Sequence, residues 1–183
     1  MFFEVEHIFD APVEAVEAAM FHPDYYAFLQ QQKDVLDGVS PEAQEDSGGQ
    51  IKRRVHYKPR PAFDHIGPKK VPAHWFEFVE ESIWDKATRK LVFDNVPITD
   101  KVARRFVNKG EILLERLSPD RTRRRARAEL RLHNLPLMLR PLAGLAEQMI
   151  AREAKKLIEN EARALGEFLE AGKSVRPPAE SAV

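Results

Sequence analysis

A chain of 183 residues with 43% apolar and 32% charged residues has the size and mixture of one globular domain, and it holds no apolar run near the roughly 20 residues that span a bilayer. Its 29 basic and 29 acidic residues cancel, and the absence of cysteine excludes disulfides, thiolate metal sites and thiol catalysis. The charge is unevenly spread: residues 1–50 carry eleven acids against Lys33 alone, and residues 101–140 carry twelve bases against four acids. These stretches either pair internally or leave a basic face for an anionic partner.

Phe2 to Phe9 alternates, with Phe3, Val5, His7 and Phe9 on one face and Glu4 and Glu6 on the other, which predicts a half-buried strand. Acids stand where a secretory signal carries Lys or Arg, so a cytoplasmic protein is expected. Asp10-Ala11-Pro12 then opens a helix, with Glu14 at its positive end and Val13, Val16 and Met20 as its apolar stripe. His22-Pro23-Asp24 interrupts it, and Tyr25 to Gln32 reads as a second short helix. An extended segment follows Lys33 and turns at Ser47-Gly48-Gly49 into a strand over Ile51–Tyr57. Pro59, Pro61, Pro68, Pro72 and Gly67 make residues 58–72 a long loop. Two hairpins follow, 73–85 with 89–95 and 104–117 with 121–133, the second turning at Ser118-Pro119-Asp120. Pro141 to about Ala171 reads as one long helix with Leu142, Leu145, Met149, Leu157, Leu165 and Phe168 as its buried stripe, and Gly172 is placed to end it. No internal repeat is present.

Consecutive strands joined by tight turns make an antiparallel sheet, and the closing helix must cover its apolar face. This order, with the Asp10-Ala11-Pro12-Val13-Glu14-Ala15-Val16 entry and the long last helix, resembles the START-like helix-grip (SRPBCC) superfamily over residues 2–170. That group includes lipid-transfer START domains, the birch pollen allergen family and polyketide cyclases. The fold expected is therefore α+β: a helix-grip with a curved antiparallel sheet of about seven strands wrapped around a long C-terminal helix, and two short helices after the first strand. Residues 1–172 form a single domain, and 173–183 a disordered tail. The resemblance implies a ligand cavity between sheet and helix; periodicity alone gives only a covered sheet.

The strand over 121–133 puts Arg123, Arg125, Arg127 and Arg131 on one side with Glu129, and Arg124, Ala126, Ala128, Leu130 and Leu132 on the other. Two consecutive inward alanines leave volume where a core normally places Val or Ile, either as open cavity or to receive a bulky helix residue such as Met149. Phe76, Phe78, Trp84, Phe93 and Phe106 fall inward by the same alternation, as core or as ligand contacts. His7, His74, Glu80, Ser82 and Asn108 are polar residues on otherwise apolar faces, so each needs a partner and each can meet a ligand head group. With Leu142, Leu145 and Met149 from the helix, these make up the candidate ligand-binding set.

The arginine-rich strand has no interleaved aromatic side chains for base stacking, and the chain is neutral, so no nucleic acid is expected. In a helix-grip the first and last strands are neighbours, so Glu4 and Glu6, with Glu111 and Glu115, neutralise the row. The six histidines (His7, His22, His56, His65, His74, His133) lack ligand spacing, and there is no nucleophile elbow, zincin motif or phosphate loop. No cofactor, metal or catalytic residue is assigned. The expectation is a carrier or sensor of a lipid or other hydrophobic small molecule held in the cavity. A polyketide cyclase/aromatase-like enzyme using the same cavity is the second possibility, and a protein-interaction module with a filled interior and a working outer sheet face the third. The resemblance implies that the loops 58–72, 96–103 and 133–140 gather at the cavity mouth. They carry Phe63, Ile66, Val96, Ile98, Leu135, Leu137, Met138 and Leu139 among Lys69, Lys70, Lys101, Arg104, Arg105 and Arg140, a pattern suited to transient contact with an anionic membrane surface.

Overall fold

The computed structural model describes residues 1–31, 36–61, 65–66, 69–134 and 143–175. Its centre is a seven-stranded antiparallel sheet: β1 (Phe2–Phe9), β2 (Leu36–Asp46), β3 (Gln50–Pro59), β6 (Phe78–Asp85), β7 (Lys90–Pro97), β8 (Phe106–Ser118) and β9 (Arg121–Leu132). The order across it is β1-β9-β8-β7-β6-β3-β2, so the first strand lies beside the last. A two-stranded ribbon, β4 (His65–Ile66) with β5 (Lys69–Lys70), stands inside the proline-rich loop. Helices α1 (Val13–Met20) and α2 (Pro23–Leu29) follow β1, α3 (Asp100–Ala103) precedes β8, and α4 (Ala143–Val175) closes the chain. This is a helix-grip architecture, a curved sheet closed by a long C-terminal helix.

Alternation sets the two faces. Val5, Phe9, Ile51, Val55, Trp84, Leu91, Phe93, Ile112, Leu114, Ala126 and Ala128 are buried inward, and α4 adds Ala162, Ala164 and Leu165. Outward, Arg127 pairs with Glu4 at 2.6 Å, and Arg123 with Glu115 at 2.9 Å. Arg125 lies between Glu115 at 3.3 Å and Glu4 at 3.5 Å. Glu111, expected in the same set, stands opposite Arg127 and favours its charge, and it forms its own ion pair with Lys90 at 2.5 Å. No described helix is long and apolar enough to cross a membrane.

Several expected boundaries are corrected. The second helix starts at Pro23, whose missing N–H suits the first position, and the His22 Nδ1 caps it by accepting from the Asp24 N–H at 3.2 Å. The strand expected from 73 starts at Phe78, because Pro72 leads into a single 3₁₀ turn over Ala73–Trp75. His74 is consequently exposed, off the sheet, and Phe76 is only partly buried beside it. The segment 96–103 contains α3. Helix α4 runs through Gly172, a residue whose interior penalty of about 1 kcal/mol does not oblige a helix to stop. Leu157, Leu165 and Phe168 pack in the core as the stripe requires, whereas Leu145 and Met149 are 59% and 42% exposed. Both α1 and α2 contact α4, and the main core cluster draws on α4 from Leu157 onward, with Ala151 buried ahead of it, so the turns before Ala151 extend past the packed region. Leu142, Phe63, Leu135, Leu137, Met138, Leu139 and Arg140 lie outside the described residues, as do residues 176–183 of the expected tail.

Candidate functional site inside the grip

Four charged side chains are drawn into the interior where the strand phase and the helix stripe call for apolar ones. Arg53 occupies the inward phase between Ile51 and Val55, and its side chain is 6% exposed. Its Nη2 donates to Glu80 Oε1 at 2.7 Å and its Nε to Ser82 Oγ at 3.2 Å, while Ser82 Oγ donates to the same carboxylate oxygen at 2.9 Å. The guanidinium also lies against the Phe21 and Tyr26 rings, 5.4 and 6.0 Å from their centroids. Burial opposes its charge most, but Glu80 acting together with Tyr26, Tyr57 and Glu161 outweighs that effect and holds the proton more tightly than usual.

The second pair is Arg124 and Glu161. Arg124 shares the inward phase of β9 with Ala126 and Ala128, and its Nη2 donates to Glu161 Oε2 at 3.0 Å. Tyr57, on the opposite flank of the sheet, donates to Glu161 Oε1 at 3.2 Å, and Tyr25 donates to the Glu161 backbone carbonyl at 3.0 Å. Burial first, and Glu161 second, push the Tyr25 and Tyr57 hydroxyls well above their ordinary range, and burial pushes Tyr26 up to about 12. These phenols are therefore protonated at neutral pH. The two ion pairs leave the cluster electrically neutral.

Toward one end of the grip the inward side chains become apolar and less covered. Tyr57 stacks on Phe78 with centroids 5.2 Å apart, and Phe78, Phe106 and Leu132 retain part of their exposure. The rim is knit by main-chain contacts: Thr99 Oγ1 donates to the His74 carbonyl at 3.4 Å, the His133 N–H to the Arg105 carbonyl at 2.9 Å, and the Leu132 N–H to Glu147 Oε1 at 2.7 Å. Trp75, Val96, Ile98, Leu145 and Met149 are exposed along this rim.

Of the residues singled out from sequence, Glu80 and Ser82 belong to the polar cluster, and Asn108 is buried opposite Leu130. Trp84 is wholly buried, donating from Nε1 to Glu17 Oε1 at 2.8 Å with its ring against Phe21. Phe93 lies over Gly110, beside Ala128, so the small residues there make room for its ring. Ala126 is likewise buried. His7 stands opposite Arg124, its ring 4.6 Å from Phe9, at a small cleft of about 130 Å³ shared with Gly166 and Leu169. Burial and Arg124 lower its pKa. Arg53, Tyr25, Tyr26, Tyr57, Arg124 and Glu161 are site residues that the sequence reading does not single out. The outer sheet face carries a broad open concavity of about 880 Å³ over Ile83 and Val92, bounded by Phe2 and paired charges such as Arg54–Glu81 and Arg127–Glu4. Among the described residues no group of His, Asp and Glu is arranged to hold a metal.

Neither a family model nor a curated protein matches the sequence. Solved structures match the fold. A Thermus thermophilus protein, TTHA0849, aligns with a TM-score of 0.63 at 20% identity, covering 94% of this chain and 99% of its own. An aromatase/cyclase from Streptomyces sp. R1128 aligns with a TM-score of 0.59 at 17% identity over 100% of both chains. A START superfamily protein from Mycobacterium smegmatis aligns with a TM-score of 0.51 at 15% identity, covering 93% of this chain and 97% of its own.

Proposed function

We propose that this protein binds a hydrophobic small molecule inside the grip, as a carrier or sensor, with the apolar body toward the rim and a polar end toward the Arg53–Glu80 and Arg124–Glu161 pairs. The observation that carries this reading is the gradient along the interior, from partly exposed Phe78, Phe106 and Leu132 to a buried, hydrogen-bonded polar cluster. Such a combination of apolar walls and a few fixed polar groups is what small-molecule sites use for affinity and orientation. Native mass spectrometry of the purified protein, followed by organic extraction, tests it. A bound apolar species, or stoichiometric uptake of a fluorescent fatty probe that Phe78→Asp abolishes, is expected. Ligand-free protein that takes up no probe overturns the reading.

A cyclase-like enzyme is the second reading, and the convergence of Tyr26, Tyr57, Glu80 and Glu161 favours it. Protonated phenols beside carboxylates are groups that stabilise and move protons on a folded carbonyl substrate. Turnover of an extracted ligand, lost in Tyr57→Phe with binding retained, distinguishes it from a carrier.

The carrier reading includes docking of the rim on an anionic membrane. Its support is the company of Trp75, Ile98, Leu145 and Met149 with Lys101, Arg104 and Arg105, whose side chains pair with no acid among the described residues. Asp100 is the one acid within α3.

A further inference from the structure

The charges of the interior cluster cancel, but its hydrogen bonds do not all close. Tyr25 and Tyr57 donate to Glu161, and Arg53 and Ser82 donate to Glu80. The Tyr26 hydroxyl and the Arg124 Nε remain without a hydrogen-bond partner among the described residues, although the two side chains belong to residues only 5% and 2% exposed. A guanidinium can only donate, and Arg53, the base beside Tyr26, offers that hydroxyl no acceptor for its proton. At Tyr26 and Arg124 the unmet capacity is that of buried donors facing no acceptor, a condition native interiors rarely tolerate, and the Asn95 Oδ1 across from Glu80 is a buried acceptor likewise without a partner among the described residues.

We propose that the interior site takes an apolar molecule ending in a neutral hydrogen-bond acceptor, a ketone or ester oxygen, which receives the Tyr26 hydroxyl. This rests on the reading that the grip binds a hydrophobic molecule, and it names the chemistry of the polar end. A carboxylate fits poorly, because both arginines are already matched by Glu80 and Glu161. A third anion would be buried beside two others with no cation left to offset it. An ammonium fits poorly for the mirror reason. A neutral carbonyl brings lone pairs without charge, and burial keeps the Tyr26 proton in place to meet them.

Matched probes decide it: methyl laurate, laurate and dodecane share an apolar chain and differ in the end group. Wild-type protein should bind methyl laurate about tenfold or more tighter than either of the others in titration calorimetry. Tyr26→Phe, which removes one oxygen, should reduce methyl laurate to the affinity of dodecane and leave dodecane unchanged. Laurate binding as tightly as the ester, or an ester preference that survives Tyr26→Phe, overturns the proposal while leaving the hydrophobic site intact. Failure of all three probes to bind sinks the site and the proposal together. The wild-type ester-to-acid ratio remains decisive even if the variant does not fold.

Discussion

At Gly110 a β-carbon would collide with the backbone oxygen of Arg127 and lie 2.8 Å from Phe93 Cζ and 2.9 Å from Ala128 Cα. Two of those neighbours are backbone, which cannot yield without distorting the β8–β9 ladder. Gly110→Ala should therefore destabilise by about 1–3 kcal/mol or more in urea unfolding, and an unchanged midpoint would contradict this packing. Arg53 and Glu80 pose the opposite problem, because each is tolerated only through the other. Removing one partner of a buried pair costs about 3–5 kcal/mol, so Arg53→Met and Glu80→Leu should each be severe. The double variant should recover much of the loss, since apolar residues replace both charges. Costs that simply add would show that the pair is not coupled.

The strands are legible from alternation, and the polar site is half legible from its violations. Arg53 sits at an apolar phase between Ile51 and Val55, and Glu161 falls between Leu157 and Leu165 on the stripe of α4, so both signals are present in the pattern. Tyr25 and Tyr26 leave no such trace, because the seven residues of α2 span barely two turns and give periodicity little to act on. His74 falls inward only if the strand register is carried back from Phe78 into Ala73–Trp75, where the backbone makes a 3₁₀ turn instead. Leu145 and Met149 show a different limit: helical spacing identifies an apolar face but not how far along the helix a partner exists. The arginine row of β9 behaves as its cross-strand neighbours dictate. Arg125→Gln should cost no more than about 1 kcal/mol, as partly exposed pairs do, and should leave retention on immobilised DNA unchanged. A salt-sensitive DNA complex that this substitution abolishes would reverse that account.

At the scale of the whole molecule, apolar and basic side chains without acidic partners meet at the rim. Vesicle flotation tests whether that asymmetry has a use. Binding should require phosphatidylserine and weaken with salt. Each base near such a surface adds about 1 kcal/mol, so the Lys101→Gln/Arg104→Gln double variant should bind about thirtyfold more weakly. Equal recovery with neutral and anionic vesicles would rule docking out. The position of Glu161 determines what such a rim can do. One residue of α4 is held by Tyr57 on β3, Arg124 on β9 and Tyr25 on α2, so a slide of one helical turn, about 5.4 Å, would strand a buried guanidinium. The helix is pinned against translation, and its first turns can pivot where the rim bond that holds them, from the Leu132 N–H to Glu147, opens. Leu145 lies sixteen residues from that pin, about 24 Å along the axis, so a tilt of about 10° carries it about 4 Å. Glu161 acts as a fulcrum: the grip can widen where a guest enters without disturbing the bonds that would receive it. Amide exchange should then be fast over 143–150 and slow over 157–168, with the protein remaining folded throughout.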